Sequence, residues 1–300
     1  MAGYHRGERA VQRRAGALDA SEHVRRAIRD TVPAVAAEFL ARQPVVFVGA
    51  EDAEGRLWST QLTGPPGFLD APDEHTVTVA AHPSSVDPLA DALTRPTPVG
   101  MIAIEPGSRR RMRVNGVAQP DGRGFAVEVA QVVSNCPRYI QQRSPSAGSA
   151  PPEARACRTD ELTAAQRERI GAADTFFVTT AGEGSVDTSH RGGSPGFVRV
   201  LSPTALEWPD YPGNAMFLTL GNLEVDHRAA LLFPDWGTGS AIHLSGTARV
   251  DWSAEHAATH PGAERVVRFE VARVVGLSGA SPLTWTPPTP SRFNPVLPGG

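Results

Sequence analysis

The sequence contains no lysine; all 29 of its basic residues are arginine. That absence excludes Schiff-base chemistry, a lysine general base and the lysine of a phosphate-binding P-loop. Any anion must be held by arginine, backbone N–H groups or hydroxyls. There are 2 cysteines, Cys136 at the end of one strand-rich region and Cys157 in a linker. They provide no disulfide framework and are read as thiols, Cys136 as a small buried residue rather than a redox group. No apolar run approaches the roughly 18 residues of a membrane span, and the arginine-rich N-terminus lacks a signal peptide's apolar core, so the expected location is the cytoplasm. A formal net charge of -3 gives no reason to expect nucleic acid or an anionic membrane as partner.

What is present is an ordinary globular composition, 40% hydrophobic, in 300 residues, enough for two domains. Residues 4–42 have helical periodicity (Val24, Ile28, Val32, Val35, Phe39), with a restart at Pro33 and a solvated arginine face of Arg6, Arg9, Arg13 and Arg14. From Pro44 the period becomes that of strands: PVVFVGAED, RLWSTQLTG, HTVTVAA, VGMIAIEP, RRRMRVNGVAQ and FAVEVAQVVS, separated by Gly and Pro turns, with a short helical piece between Asp87 and Leu93. Such short alternating strands indicate a small antiparallel barrel rather than a parallel α/β sheet. Residues 144–156 read as a Ser/Pro/Ala linker, and Thr159 or Asp160 would cap a helix from Glu161 to Ile170.

The strand pattern then begins again. At an offset of 129, Phe47 corresponds to Phe176, Gly55 to Gly184, Gly64 to Gly193 and Pro66-Gly67-Phe68 to Pro195-Gly196-Phe197. At 130, Met112, Gly116 and Ala118 correspond to Ile242, Gly246 and Ala248. VEVAQVV and FEVARVV follow at 142, which marks an insertion near Ser253 to Gly262. The chain is a tandem repeat of one β-barrel.

The copies differ where chemistry belongs. TQLTGPPGFL in the first stands against SHRGGSPGFV in the second, so Gln61 and Leu62 lie opposite His190 and Arg191. An arginine fork beside Gly192-Gly193 suits a phosphate; a solvated turn is the competing reading. Gly192 to Gly196 also satisfies G-x-S-x-G, but Pro195 has no N–H for an oxyanion hole and a strand follows, so Ser194 is not read as a nucleophile. FLTLGN at 217–222 is read as a strand end whose Thr219, Gly221 and Asn222 offer polar donors, or as the cap of a following helix. Arg111 and Arg113, in an otherwise solvated basic run, are able to reach a neighbouring site. His256 and His260 stand four apart in SAEHAATH without a spaced third ligand; they are read as a solvated loop, with no metal site expected.

With the repeat, the SHRGGSPGFVRV, GN, LLFPDW and LSGTARV order, the NCPRYI coda and the GERAVQRRAG leader, the chain resembles the pyridoxamine 5'-phosphate oxidase-like split-barrel family over nearly its whole length. The resemblance implies a mainly β fold with short helices: two tandem six-stranded antiparallel Greek-key split barrels behind an N-terminal helical segment. The divisions expected are 1–43 helical, 44–143 a degenerate first barrel, 144–170 linker and helix, and 171–300 the cofactor-binding barrel. It implies FMN between the barrels, hydride transfer through the flavin, a small-molecule substrate and a nicotinamide electron donor, with the tandem copies forming the barrel pair and a homodimer left open. By position, Ser189, His190, Arg191 and Gly192 match the segment that holds flavin phosphate and ring, Phe197, Val198 and Arg199 the strand beneath the flavin, and Thr219, Gly221 and Asn222 a second strand-end contact. Asn135, Arg138 and Tyr139 are the contribution of the other barrel, and His190 is the candidate proton donor. The Arg-Lys phosphate clamp of true pyridoxamine phosphate oxidases is missing, which argues against that activity. A non-catalytic flavin, deazaflavin or haem binder is the alternative.

Overall fold

In the computed structural model, residues 3–134, 137–147 and 153–296 are described. The helical leader is α1 (Arg6–Arg14), α2 (Leu18–Val24), a two-residue strand β1 (Ile28–Arg29) and α3 (Ala34–Ala41), which starts directly after Pro33 as a proline at a helix boundary should. The first barrel comprises β2 (Val45–Glu51), β3 (Leu57–Thr63), β4 (Leu69–Asp73), β5 (Thr76–Val79), β6 (Thr97–Glu105), β7 (Arg110–Pro120) and β8 (Phe125–Ser134). After β9 (Pro145–Ala147) the second comprises β10 (Arg155–Thr159), α4 (Ala164–Gly171), β11 (Thr175–Gly182), β12 (Ser185–Gly192), β13 (Arg199–Ser202), β14 (Ala205–Asp210), α5 (Leu218–Val225), β15 (Arg228–Pro234), β16 (Ala241–Asp251), α6 (Ala254–Ala258) and β17 (Arg265–Ser278), followed by β18 (Leu283–Trp285).

The two sheets have the same order. The first runs β3-β2-β6-β7-β8-β5-β4 with β1 also on β8; the second runs β12-β11-β15-β16-β17-β14-β13 with β10 also on β17. All pairings are antiparallel, and the jumps from β2 to β6 and from β5 to β8 are of Greek-key type. Short strands thus extend the expected six-strand framework to eight in each copy. Both long hairpins carry a register shift at the same place, between Asn115 and Gly116 and between Ser245 and Gly246. A Cβ on either glycine would fall 2.0 Å from a carbonyl across the ladder, Glu128 O or Glu270 O. The bulge therefore requires glycine in both copies.

Three details differ from the sequence reading. Phe47 faces Gln61 across β2–β3, and Phe177 faces His190 across β11–β12, so Phe47 is matched by Phe177 rather than Phe176; the tighter β11–β12 hairpin absorbs one residue. The helix expected at Glu161 begins at Ala164, because Thr163 and Gln166 form the capping box there. The expected linker is partly sheet: β9 pairs with β18, and β10 pairs with β17 over Arg155 to Thr159.

Each barrel has its own core, built around Phe39, Leu69 and Phe125 in the first and Phe176, Trp208 and Phe269 in the second. A third apolar cluster joins them, with Val45, Phe47, Ile102, Phe177 and Leu232 all buried. Phe47 and Phe177 stack at its centre, ring centroids 3.5 Å apart and 15° from parallel. The main chains come so close that a Cβ on Gly49 would lie 2.2 Å from the Thr179 hydroxyl, and one on Gly100 2.6 Å from Asp187 Cα. Strand β12 is consequently buried on both faces, between its own barrel and the first. No helix among the described residues is long and apolar enough to cross a membrane.

Candidate functional site

Burial of β12 against the first barrel puts its polar residues where only precise partners can satisfy them. Asp187 is buried, and Arg113 of β7 donates from Nη1 to both carboxylate oxygens at 3.1 and 2.8 Å and to Ser189 Oγ at 2.8 Å. Asn115 Nδ2 adds a bond to Asp187 at 3.1 Å, Ser189 Oγ one at 2.9 Å, and Thr219 Oγ1 of α5 donates to Ser189 Oγ at 3.0 Å. One barrel supplies the cation and the other the anion and hydroxyls, so this network forms only where the two meet.

His190 follows on β12. Its Nδ1 lies 2.8 Å from Nη1 of Arg111, also of β7. Arginine has only donors, so Nδ1 accepts and the neutral ring carries its proton on Nε2. Burial, then the charges of Arg111, Arg191 and Arg143, hold His190 well below the ordinary histidine range. His190, the candidate proton donor, is therefore neutral and donates a hydrogen bond from Nε2 rather than acting as a charged acid. That buried Nε2 has no partner. Arg191 donates from Nη1 to Asp210 at 2.8 Å, and Arg265, 3.5 Å from the same carboxylate, lies against the rings of Phe217 and Trp252.

The facing wall is aromatic. Tyr139, from the coda of the first barrel, lies 5.0 Å from Tyr211 between ring centroids, and its hydroxyl donates to the Pro212 carbonyl at 3.0 Å. Arg138 Nη1 donates to the same carbonyl at 3.3 Å. The coda lies so close over β12 that a Cβ at Gly192 would stand 2.0 Å from the Tyr139 carbonyl oxygen, and this is what demands glycine at the end of that strand. Between the walls is a cavity with about 900 Å³ of empty space, its open mouth included.

Of the residues singled out by sequence, Ser189, His190, Arg191, Gly192, Phe197, Thr219, Arg138 and Tyr139 line this cavity. Four do not. Val198 is core, and Arg199 turns outward to the Thr259 carbonyl. Gly221 and Asn222 are in α5, not at a strand end. A Cβ on Gly7 of α1 would lie 2.2 Å from Gly221 O, while Asn222 bonds to Thr180 and to His5 at 3.0 and 2.9 Å. Their polar groups hold the leader down and are spent. Asn135 and Cys136 lie outside the described residues. Sequence reading left Arg111 and Arg113 as outside candidates and missed Asp210, Tyr211 and Phe217 altogether. Only the DYPGN turn, with an acid and an aromatic at a strand end, hinted at these last.

No protein-family model matches the chain, and no curated protein matches it. Solved structures do. Its neighbours include flavin-binding and pyridoxamine 5'-phosphate oxidase-like proteins. A putative pyridoxamine 5'-phosphate oxidase from Lactobacillus delbrueckii is 20% identical, with 39% of this chain and 94% of that one covered and a TM-score of 0.32. The FAD binding protein from Mycobacterium smegmatis is 10% identical, with coverages of 40% and 98% and a TM-score of 0.29. A FAD-binding protein from Mesorhizobium loti is 16% identical, with coverages of 41% and 96% and a TM-score of 0.28. The whole length of each neighbour spans about two fifths of this chain.

Proposed function

We propose that the cavity between the barrels binds FMN and that the protein is a flavin-dependent oxidoreductase acting on a small molecule, with a nicotinamide as electron donor. The observation that carries this reading is convergence: guanidinium groups of Arg111 and Arg113 from one barrel and of Arg191 from the other line one cavity together with the hydroxyls of Ser189 and Thr219 and the unpartnered Nε2–H of His190. Such a set fits a phosphorylated ligand, and the Tyr139, Tyr211 and Phe217 side fits a planar ring. A flavin, when bound, supplies the hydride chemistry; the protein binds, orients and shields it from water. His190 Nε2–H would donate to the ligand and, staying neutral, would do so across the physiological pH range. Haem ligation is disfavoured at this residue. With Arg111 facing Nδ1, the Nε2 atom carries the proton and has no lone pair to offer iron.

The test is titration of the full chain with FMN, FAD and riboflavin, followed by flavin absorbance and fluorescence. FMN should bind more tightly than riboflavin, which lacks the phosphate. Arg191→Ala should weaken FMN by about 10- to 100-fold, the equivalent of about 1.5–3 kcal/mol for a charged hydrogen bond, while leaving riboflavin little changed. Failure of all three to bind would remove the flavin reading, and FAD outcompeting FMN would correct its ligand. Turnover is tested separately, by reduction of the bound flavin with NADPH or NADH.

A further inference from the structure

The insertion that sets the second barrel apart brings two histidines to a carboxylate on a distant strand. Ser253 caps α6, accepting from the His256 N–H at 3.2 Å, and the turn after the helix presents His260 beside His256, ring centroids 5.9 Å apart. Both aim Nε2 at Glu207 of β14: His256 Nε2 lies 3.1 Å from Oε2 and His260 Nε2 3.0 Å from Oε1. Ligand atoms of the three residues lie within 4.8 Å of one another. Glu207 and His260 are buried, whereas His256 is half-buried and gives access from solvent.

Two further observations point to a ligand. His256 Nδ1 lies 2.9 Å from Asp251 Oδ2, the carboxylate–imidazole arrangement that fixes a ring with its other nitrogen free to ligate. The Nε2 atom so oriented faces Glu207 Oε2 across 3.1 Å, the placement of two donor atoms that share one ion. Moreover, all three ligands are particular to the second copy. The ladders place Glu207 opposite Arg268 on β17 and Thr78 opposite Ala126 on β8, so the first barrel has threonine where the second has the carboxylate, and it has no insertion to carry the histidines.

We propose that Glu207, His256 and His260 form a site for a divalent transition ion of the zinc class, with Asp251 as a positioning residue and an open coordination position for water. Two imidazoles and a carboxylate are a recognised zinc donor set. Arg199 Nη1 and Arg268 Nε lie 3.8 and 3.7 Å from Glu207, beyond hydrogen-bonding distance, and both side chains are substantially exposed, so neither occupies the space between the three ligands. Bound metal would clasp α6 and the following turn to β14.

The experiment uses the full chain without an affinity tag, stripped with a chelator and titrated calorimetrically with zinc sulfate, with the visible spectrum of the cobalt(II) adduct as a geometric readout. One ion per chain and a tetrahedral cobalt spectrum are expected. His256→Ala, with folding checked by circular dichroism, should abolish stoichiometric binding, as should Glu207→Gln. Asp251→Asn should weaken it by about 10- to 100-fold. His23→Ala, on the exposed face of α2, should change nothing. Absence of stoichiometric zinc binding in the wild-type chain, or equal binding by His256→Ala, would overturn the proposal and leave the cluster as a hydrogen-bonded knot that ties α6 to β14.

Discussion

The two barrels share a scaffold and divide a site. Bulge glycines Gly116 and Gly246 and the turn glycines Gly64 and Gly193, each of which meets the ring of the next phenylalanine, occupy the same places. Around the cavity the copies have diverged in opposite directions. On the third strand, Thr60, Gln61 and Leu62 stand where the second barrel has Ser189, His190 and Arg191; on the strand that faces it, Ala241 and His243 stand where the first has Arg111 and Arg113. Each copy therefore keeps the half that the other has lost, and the halves meet once. At the mirror location His243 is fully buried with Nδ1 2.8 Å from the Ser59 carbonyl, and Thr60 bonds to the buried Asp87. The mirror location thus has a buried histidine and Ala241 in place of a second pair of arginines.

The sharpest way to break that comparison is Arg113→Ala. It leaves Asp187 buried without its cation and should cost about 3–5 kcal/mol in urea unfolding, with loss of FMN retention; a cost below about 1 kcal/mol would mean the joint does not depend on the pair. Next is pH. Burial pushes the Glu8 carboxyl of α1 up to about 8, the Asp187 charge adds to this, and the His5 N–H bond opposes it. Its folded value lies above its unfolded one, so its contribution is fully present at acid pH and is lost as pH rises from about 4.5 through about 8, by up to roughly 1.4 kcal/mol per unit. Thermal melts should show this fall, and Glu8→Gln should flatten it; an unchanged slope would mean that Glu8 ionises freely.

Gly192→Ala should be smaller, about 1–3 kcal/mol of overpacking against Tyr139, accompanied by weaker flavin retention because the coda must lift. Its counterpart in the first barrel is already Thr63, so Thr63→Ala is the matched control and should leave retention intact. Smallest of all, Gln61→Ala should change stability by less than about 1 kcal/mol and FMN retention not at all. A substantial loss of retention there would mean that the first copy still holds a site.

Much of this was legible in the sequence, because the repeat supplies its own internal comparison. Glycines kept at one offset revealed the bulges and turns, alternation revealed the strands, and the His190-Arg191 contrast led to the cavity. The comparison failed where a residue's role depends on what crosses over it. Phe47 was paired with Phe176 because a one-residue change in a hairpin is silent until cross-strand register is visible. Gly221 and Asn222 looked like open donors, since the sequence does not reveal that α1 lies on them. His256 and His260 looked like a loop because their third partner, Glu207, is 49 residues away from the nearer of them on another strand.

The sequence by itself determined the architecture: two antiparallel barrels in tandem, short helices between their strands, and arginine as the chain's sole basic residue apart from histidine. These follow from local periodicity, turn chemistry and composition, which act along the chain. Tertiary structure alone decided that Arg111 and Arg113 of one copy complete the strand of the other, that His190 is neutral with its proton on Nε2, and that Glu207 joins two inserted histidines. Burial and charge pairing depend on distances in space, and those are set only when the two sheets close on each other.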